Sequence, residues 1–158
     1  MEAAEIIERL KLERHPEGGW YREVHRSTCL VGLPDERSGE RVALTAIYFL
    51  LDSGDFSAFH IVRSEEAWVH LDGAPLELVM LPKELEIRLL TTIGGGGEPL
   101  LVVPPDTLQA ARTLGEYTLV SCLVAPGFDF ADFRIPSRAE LQAQFPEYAE
   151  LIDRFTRP

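Results

Sequence analysis

The chain is short of thiols, of cations and of long apolar runs, and each shortage excludes a class of protein. Cys29 and Cys122 are its only cysteines. They lie far apart and outside any Cys-X-X-Cys pair, which argues against a disulfide framework and a zinc knuckle, and both thiols are expected to be reduced. Lys and Arg total 15 against 26 Asp and Glu, a formal charge of -11. That excess repels a phosphate backbone and supplies no basic face for counterion release, so no nucleic-acid partner is expected. No apolar run approaches the ~20 residues of a membrane helix, and the start Met1-Glu-Ala-Ala-Glu lacks the basic opening of a signal peptide. A soluble, cytoplasmic chain without membrane association is the expectation. No Gly-Lys-Ser/Thr follows the glycines at 94 to 97, so P-loop mechanics are missing. A nucleophile elbow and an internal repeat are missing too.

What is present suits one domain. With 158 residues, 46% of them hydrophobic, the chain can bury a core of its own, and a single unit over 1–158 is expected, its central part spanning about 20–135. Ile6, Ile7 and Leu10 among good helix formers predict a short amphipathic helix over residues 2–12, ended before His15-Pro16. Residues 20–25 alternate as a strand. Residues 32–40 read as an exposed loop, and 42–51 as a strand covered on both faces. Further strands are expected at 76–81, 85–90, 100–103, 108–111 and 116–124. Ser137-Arg-Ala-Glu140 is a capping-box pattern that opens a helical tail broken near Pro146. Strands at short spacing with helices only at the ends predict an all-β sandwich or barrel.

The stretch from Gly54 to Gly73 carries the chemistry. Counting by twos places His60 and Val62 on one face of a strand and Glu66, Trp68 and His70 on one face of the next, with residues 63–65 as the turn of a hairpin. If that face is interior, His60 and Glu66 face each other. A wet surface hairpin is the competing reading, but Phe56, Phe59, Trp68 and Leu71 are more apolar bulk than such a hairpin needs. Upstream, His15, Glu17, Tyr21 and Glu23 either line a solvated loop or fold over the mouth of the interior.

Gly54, His60, Glu66 and Gly73 fall on the first motif of the cupins, whose pattern is a glycine, five residues, His-X-His, a spacer, a glutamate, six residues and a glycine. Val62 stands at the second histidine. Pro104-Pro105-Asp106-Thr107-Leu108-Gln109 resembles the second cupin motif with Asp106 for its glycine and Gln109 for its histidine. His15-Pro-Glu-Gly-Gly-Trp-Tyr-Arg-Glu23 and Val124-Ala-Pro-Gly-Phe-Asp-Phe130 are similar to a narrower group of short, functionally uncharacterised single-domain cupins. The resemblance implies a double-stranded β-helix, the cupin jelly roll, with short helices at both termini and a pocket in the barrel.

A small polar metabolite in that pocket is the expected partner. His60 and Glu66 are the candidates for proton transfer, since a carboxylate bonded to imidazole fixes its tautomer and raises its basicity. Tyr21 or Tyr48 would be the matching acid. His15, Glu17, Phe59, Trp68, His70 and Gln109 are the candidate substrate-binding residues. The arrangement resembles the cupin epimerases of nucleotide-linked deoxysugars, which implies an isomerase or epimerase acting on a sugar-like substrate. A non-catalytic binding cupin is the first alternative, and a metal-dependent oxygenase or lyase is the second. Val62 and Gln109 remove two imidazoles from the cupin ligand set. No cofactor is therefore expected to be required, and a weakly bound divalent metal would rest on His60, Glu66 and Gln109. Apolar strands at 20–25 and 42–51 exceed what a wet sheet edge tolerates, so a homodimer is expected.

Overall fold

The computed structural model describes residues 1–158 except Pro34 and Ser38. In chain order the elements are α1 (Ala3–Leu10), β1 (Glu13–Arg14), β2 (Trp20–Arg26), β3 (Leu30–Gly32), β4 (Glu40–Val42), β5 (Thr45–Asp52), β6 (Ser57–Val62) and β7 (Glu65–Gly73). There follow β8 (Leu76–Leu81), β9 (Glu86–Leu90), β10 (Leu100–Val103), β11 (Thr107–Thr113), β12 (Tyr117–Ala125), β13 (Phe133–Arg134), α2 (Arg138–Gln144) and α3 (Ala149–Arg154). One sheet runs β1-β2-β5-β12-β7-β10 and the facing sheet runs β13-β6-β11-β8-β9, while β3 and β4 form a small ribbon. All the strand pairs within these sheets are antiparallel.

Alternation along each strand divides the apolar side chains between an inner and two outer layers. Phe49 and Leu51 of β5 point inward to meet Trp68, Leu76, Leu78, Val120 and Cys122 in the central core. Their neighbour Leu50 points outward and joins Leu119 beneath Ile6 and Leu12 of the amino-terminal segment. On the other sheet, Phe59, Val79, Leu108 and Ala110 point outward against Leu141 and Ile152 of the terminal helices and Phe155 just after them. The apolar spacing of α1 and the Ser137/Glu140 capping box therefore do the work the sequence implies, sealing the two outer faces.

One expectation fails here in an instructive way. β6 and β7 are not a hairpin, because the short connection Arg63-Ser64 carries the chain from one sheet to the other. His60 and Glu66 still face the same interior, but from opposite walls of the sandwich. Strand β5 is interior to its sheet, paired on both sides with β2 and β12, so it offers no edge to a second subunit.

Candidate functional site

Glu17 reaches the interior through a tight turn. His15 N–H donates to the Gly19 carbonyl and Gly18 N–H to the His15 carbonyl, each at 3.0 Å. Gly18 and Gly19 have φ of 108° and 76°, and a Cβ on Gly18 would lie 2.1 Å from the Phe56 carbonyl oxygen. Only glycine can take that path. The turn is tied down from outside: Asp55 accepts from Gly19 N–H at 2.8 Å and pairs with Arg14 and Arg157 at 2.7 and 2.6 Å. The Glu17 carbonyl accepts from Ala58 N–H and from Arg157, both at 2.8 Å.

The carboxyl group of Glu17 then meets His60. Its Oε1 accepts from Ser57 Oγ at 2.9 Å, and its Oε2 lies 3.1 Å from His60 Nε2. His60 Nδ1 lies 2.7 Å from the Ala58 carbonyl, which can only accept. Nδ1 therefore carries a hydrogen, and the contact between Nε2 and Glu17 is closed by one shared proton. Burial is the main cause that pushes the Glu17 carboxyl up to about 8. Burial also lowers the proton affinity of His60, opposed by the nearby Glu66. Both directions favour a neutral pair in which the proton rests on Glu17.

His15 is fixed by the same turn. Its Nδ1 accepts from Glu17 N–H at 3.2 Å, so in the neutral ring the hydrogen sits on Nε2. That N–H has no hydrogen-bond partner among the described residues. Burial, helped by His60, lowers His15 to about 3, and its side chain is only 7% exposed. The ring packs edge-on against Tyr21 at 4.5 Å and Phe133 at 6.0 Å between centroids.

On the opposite wall Glu66 accepts from Gln109 Nε2 at 3.0 Å, and Gln109 Oε1 accepts from the Trp68 indole at 3.0 Å. Burial chiefly raises Glu66 to about 7, with Glu17 adding to the shift and His60 opposing it. Cys122 shares this wall; its thiol is pushed up by burial and by both carboxyl groups, which leaves it a poor nucleophile. Between the walls lies a cavity of about 310 Å³ that His15, Glu17, Tyr21, His60, Val62 and Glu66 line. Its mouth is bordered by Glu13, Glu23, Arg26, Phe128, Asp129 and Phe130.

Of the ten residues singled out in the sequence, five line this cavity: His15, Glu17, Tyr21, His60 and Glu66. Gln109 and Trp68 stand behind it and hold Glu66. Three are placed elsewhere. Phe59 follows the period of two to the outer face, 5.7 Å from Phe155. Tyr48 likewise points outward, with Arg22 over its ring. His70 lies further along β7, bonded through Nε2 to the Ala74 carbonyl at 3.0 Å. The imidazole partner is also not the one the local pattern suggests, since His60 contacts Glu17 rather than Glu66. No local signal could reveal a contact between residues so distant in sequence. Phe128 and Phe133 were not singled out as site residues, although Pro126-Gly127 marks a turn that could bring them inward.

The chain matches the family model described as Cupin superfamily (DUF985) over residues 4–136. It belongs to that family. A hypothetical protein from Leishmania major is similar to this cupin at 31% identity, with a TM-score of 0.92 and 100% of both chains covered. A protein from Shewanella oneidensis is similar at 32% identity and a TM-score of 0.89, covering 100% of this chain and 99% of the other. An oxalate decarboxylase variant from Bacillus subtilis shares the fold at 17% identity and a TM-score of 0.56, with 90% of this chain and 36% of that chain covered. Among curated proteins no sequence relative is found.

The metal that the cupin motifs imply needs about three converging donors. Among the described residues no group of three or more His, Cys, Asp or Glu is arranged to hold an ion. Val62 occupies the place of an imidazole, Gln109 Oε1 is engaged by Trp68, and His60 Nε2 is engaged by Glu17. As arranged here, the donors that the cupin motifs supply, His60, Glu66 and Gln109, are not set to hold an ion.

Proposed function

We propose that this cupin is an isomerase or epimerase that moves a proton at a carbon next to the carbonyl of a small polar metabolite. The observation that carries this reading is the contact between Glu17 Oε2 and His60 Nε2 at 3.1 Å with Nδ1 held by Ala58. It supplies a buried acid, while Glu66 on the facing wall, raised to about 7, supplies a base. Burial raises both carboxyl groups into the neutral range, where each can hold or release a proton, as acid and base roles require. Glu66 as carboxylate takes the C–H proton, and the electron pair moves onto the carbonyl oxygen. The free Nε2–H of neutral His15 donates to that oxygen. The Glu17–His60 pair then delivers its proton to carbon from the other side, and exchange with water returns the groups to their starting states. Tyr48 takes no part, because it lies outside the cavity.

Incubation of candidate carbonyl metabolites in D2O, followed by mass spectrometry, tests this. Deuterium is expected to enter the α position with the wild type. Glu17→Gln can still donate to His60 and accept from Ser57, so it keeps the geometry and loses the proton; it and Glu66→Gln are each expected to slow exchange by about 10²- to 10⁴-fold. A metabolite that binds without exchange in the wild type would refute catalysis in favour of a binding cupin.

A further inference from the structure

The cavity mouth shows a chemical bias that proton transfer does not explain. Phe128, Phe130 and Phe133 pack as a triangle, with centroid separations of 5.0, 5.8 and 5.9 Å. Phe133 continues inward to His60 at 5.6 Å, so an aromatic wall runs from solvent to the acid. Phe130 is 56% exposed at the rim. Glu13, Glu23 and Asp129 line the same cavity, and Arg26 is the one cation lining it among the described residues. Its charge is already matched. Glu23 binds it through two bonds of 2.7 and 2.8 Å, and the Phe128 carbonyl accepts a third at 3.2 Å. Glu13, Glu23 and Asp129 set against Arg26 and against Arg41, 4.0 Å from Asp129, leave an excess of one negative charge beside the rings. That small excess and the aromatic rings favour a cation over a carboxylate or phosphate. Deeper in, His15 lines the same cavity, and its Nε2–H, without a hydrogen-bond partner among the described residues, can donate to an acceptor on the same ligand.

We infer that the ligand has a cationic ammonium head, seated at the Phe128–Phe130 rim, joined to a neutral oxygen that accepts from His15. This names the substrate class for the proton-transfer reading of the same cavity and rests on it only for the reaction. The rim segment is built to hold its shape: Asp132 binds Arg41 through bonds of 2.9 and 3.0 Å, and Phe128 N–H donates to Thr45 at 2.9 Å.

Three probes of one shape separate the contributions: choline, its neutral isostere 3,3-dimethylbutan-1-ol, and the anion 3,3-dimethylbutanoate. By calorimetry choline is expected to bind at least tenfold more tightly than the neutral probe, with no binding of the anion. Phe130→Leu, at an exposed position, is expected to weaken choline about 3- to 10-fold and leave the neutral probe unchanged. Equal binding of choline and the alcohol, tighter binding of the anion, or no binding of choline overturns the inference. Glu17→Gln separates it from the reaction: choline binding that persists while deuterium exchange disappears supports both. Exchange on neutral sugars without choline binding removes the cation alone, and choline binding with exchange unaffected by Glu17→Gln removes the mechanism alone.

Discussion

A carbonyl oxygen cannot donate, and this fact fixes most of what the individual site residues do. Ala58 sets the tautomer of His60 and the Glu17 amide sets that of His15, so one imidazole faces a carboxyl group and the other offers a free N–H. NMR of the imidazole nitrogens is expected to show His15 as the Nε2–H tautomer and still neutral at pH 5, since its protonation lies at about 3. A His15 that titrates near 6.5 would refute the assignment. The rate of deuterium exchange should rise as Glu66 ionises at about 7 and fall as Glu17 ionises at about 8, a narrow bell. Glu66→Gln should remove the rising limb along with most of the rate. His60 and Glu66 were legible as a pair of interior residues because alternation is local. Glu17 as the partner was not, because the contact depends on a turn folding across another strand.

At the level of elements, the strands at 76–81, 86–90 and 117–125 and both capped helices follow from spacing alone. The sheet to which each strand belongs does not. A two-residue connection after an alternating strand reads as a hairpin, yet Arg63-Ser64 crosses the sandwich, and only the burial of both faces of β6 demands it. Strands of two or three residues, such as β1 and β13, carry no period to detect. The turn at Gly18 is the element on which the site depends most. Gly18→Ala places a Cβ within 2.1 Å of backbone and at φ 108°. It is expected to lower the melting temperature and to abolish deuterium exchange together. Phe155→Ala, at a fully buried residue beneath β6, should cost about 3 to 5 kcal/mol in denaturant unfolding without changing the pH limits of exchange.

For the whole molecule, the raised carboxyl groups make stability depend on pH. Glu17 and Glu66 bind their protons at about 8 and about 7 when folded, against 4.5 for the free side chains. The native state thus holds more protons than the unfolded chain, and stability is lost as pH rises from about 4.5 to about 8. His15, lowered from 6.5 to about 3, acts the other way and weakens the fold as pH falls between those values. Above pH 6.5 only the carboxyl groups contribute of these three. Calorimetry should show the melting temperature falling between pH 6.5 and 8.5, and falling less in Glu17→Gln. The assembly we propose is a homodimer, with β2 rather than β5 as the pairing edge, since, among the described residues, 22–26 of β2 have no strand neighbour besides β5. Sedimentation is expected to give twice 17.7 kDa, and a 17.7 kDa species at micromolar concentration would refute it.

His60, which holds the acid Glu17 at 3.1 Å, and the base Glu66 are mounted on opposite sheets with a void of about 310 Å³ beside them. Such a molecule couples compression to protonation. Hydrostatic pressure drives water into voids, and water admitted here would relieve the desolvation that raises both carboxyl groups. In a weakly buffered medium starting near pH 7.5 a squeezed molecule would therefore release protons, and the medium would acidify before the chain unfolds.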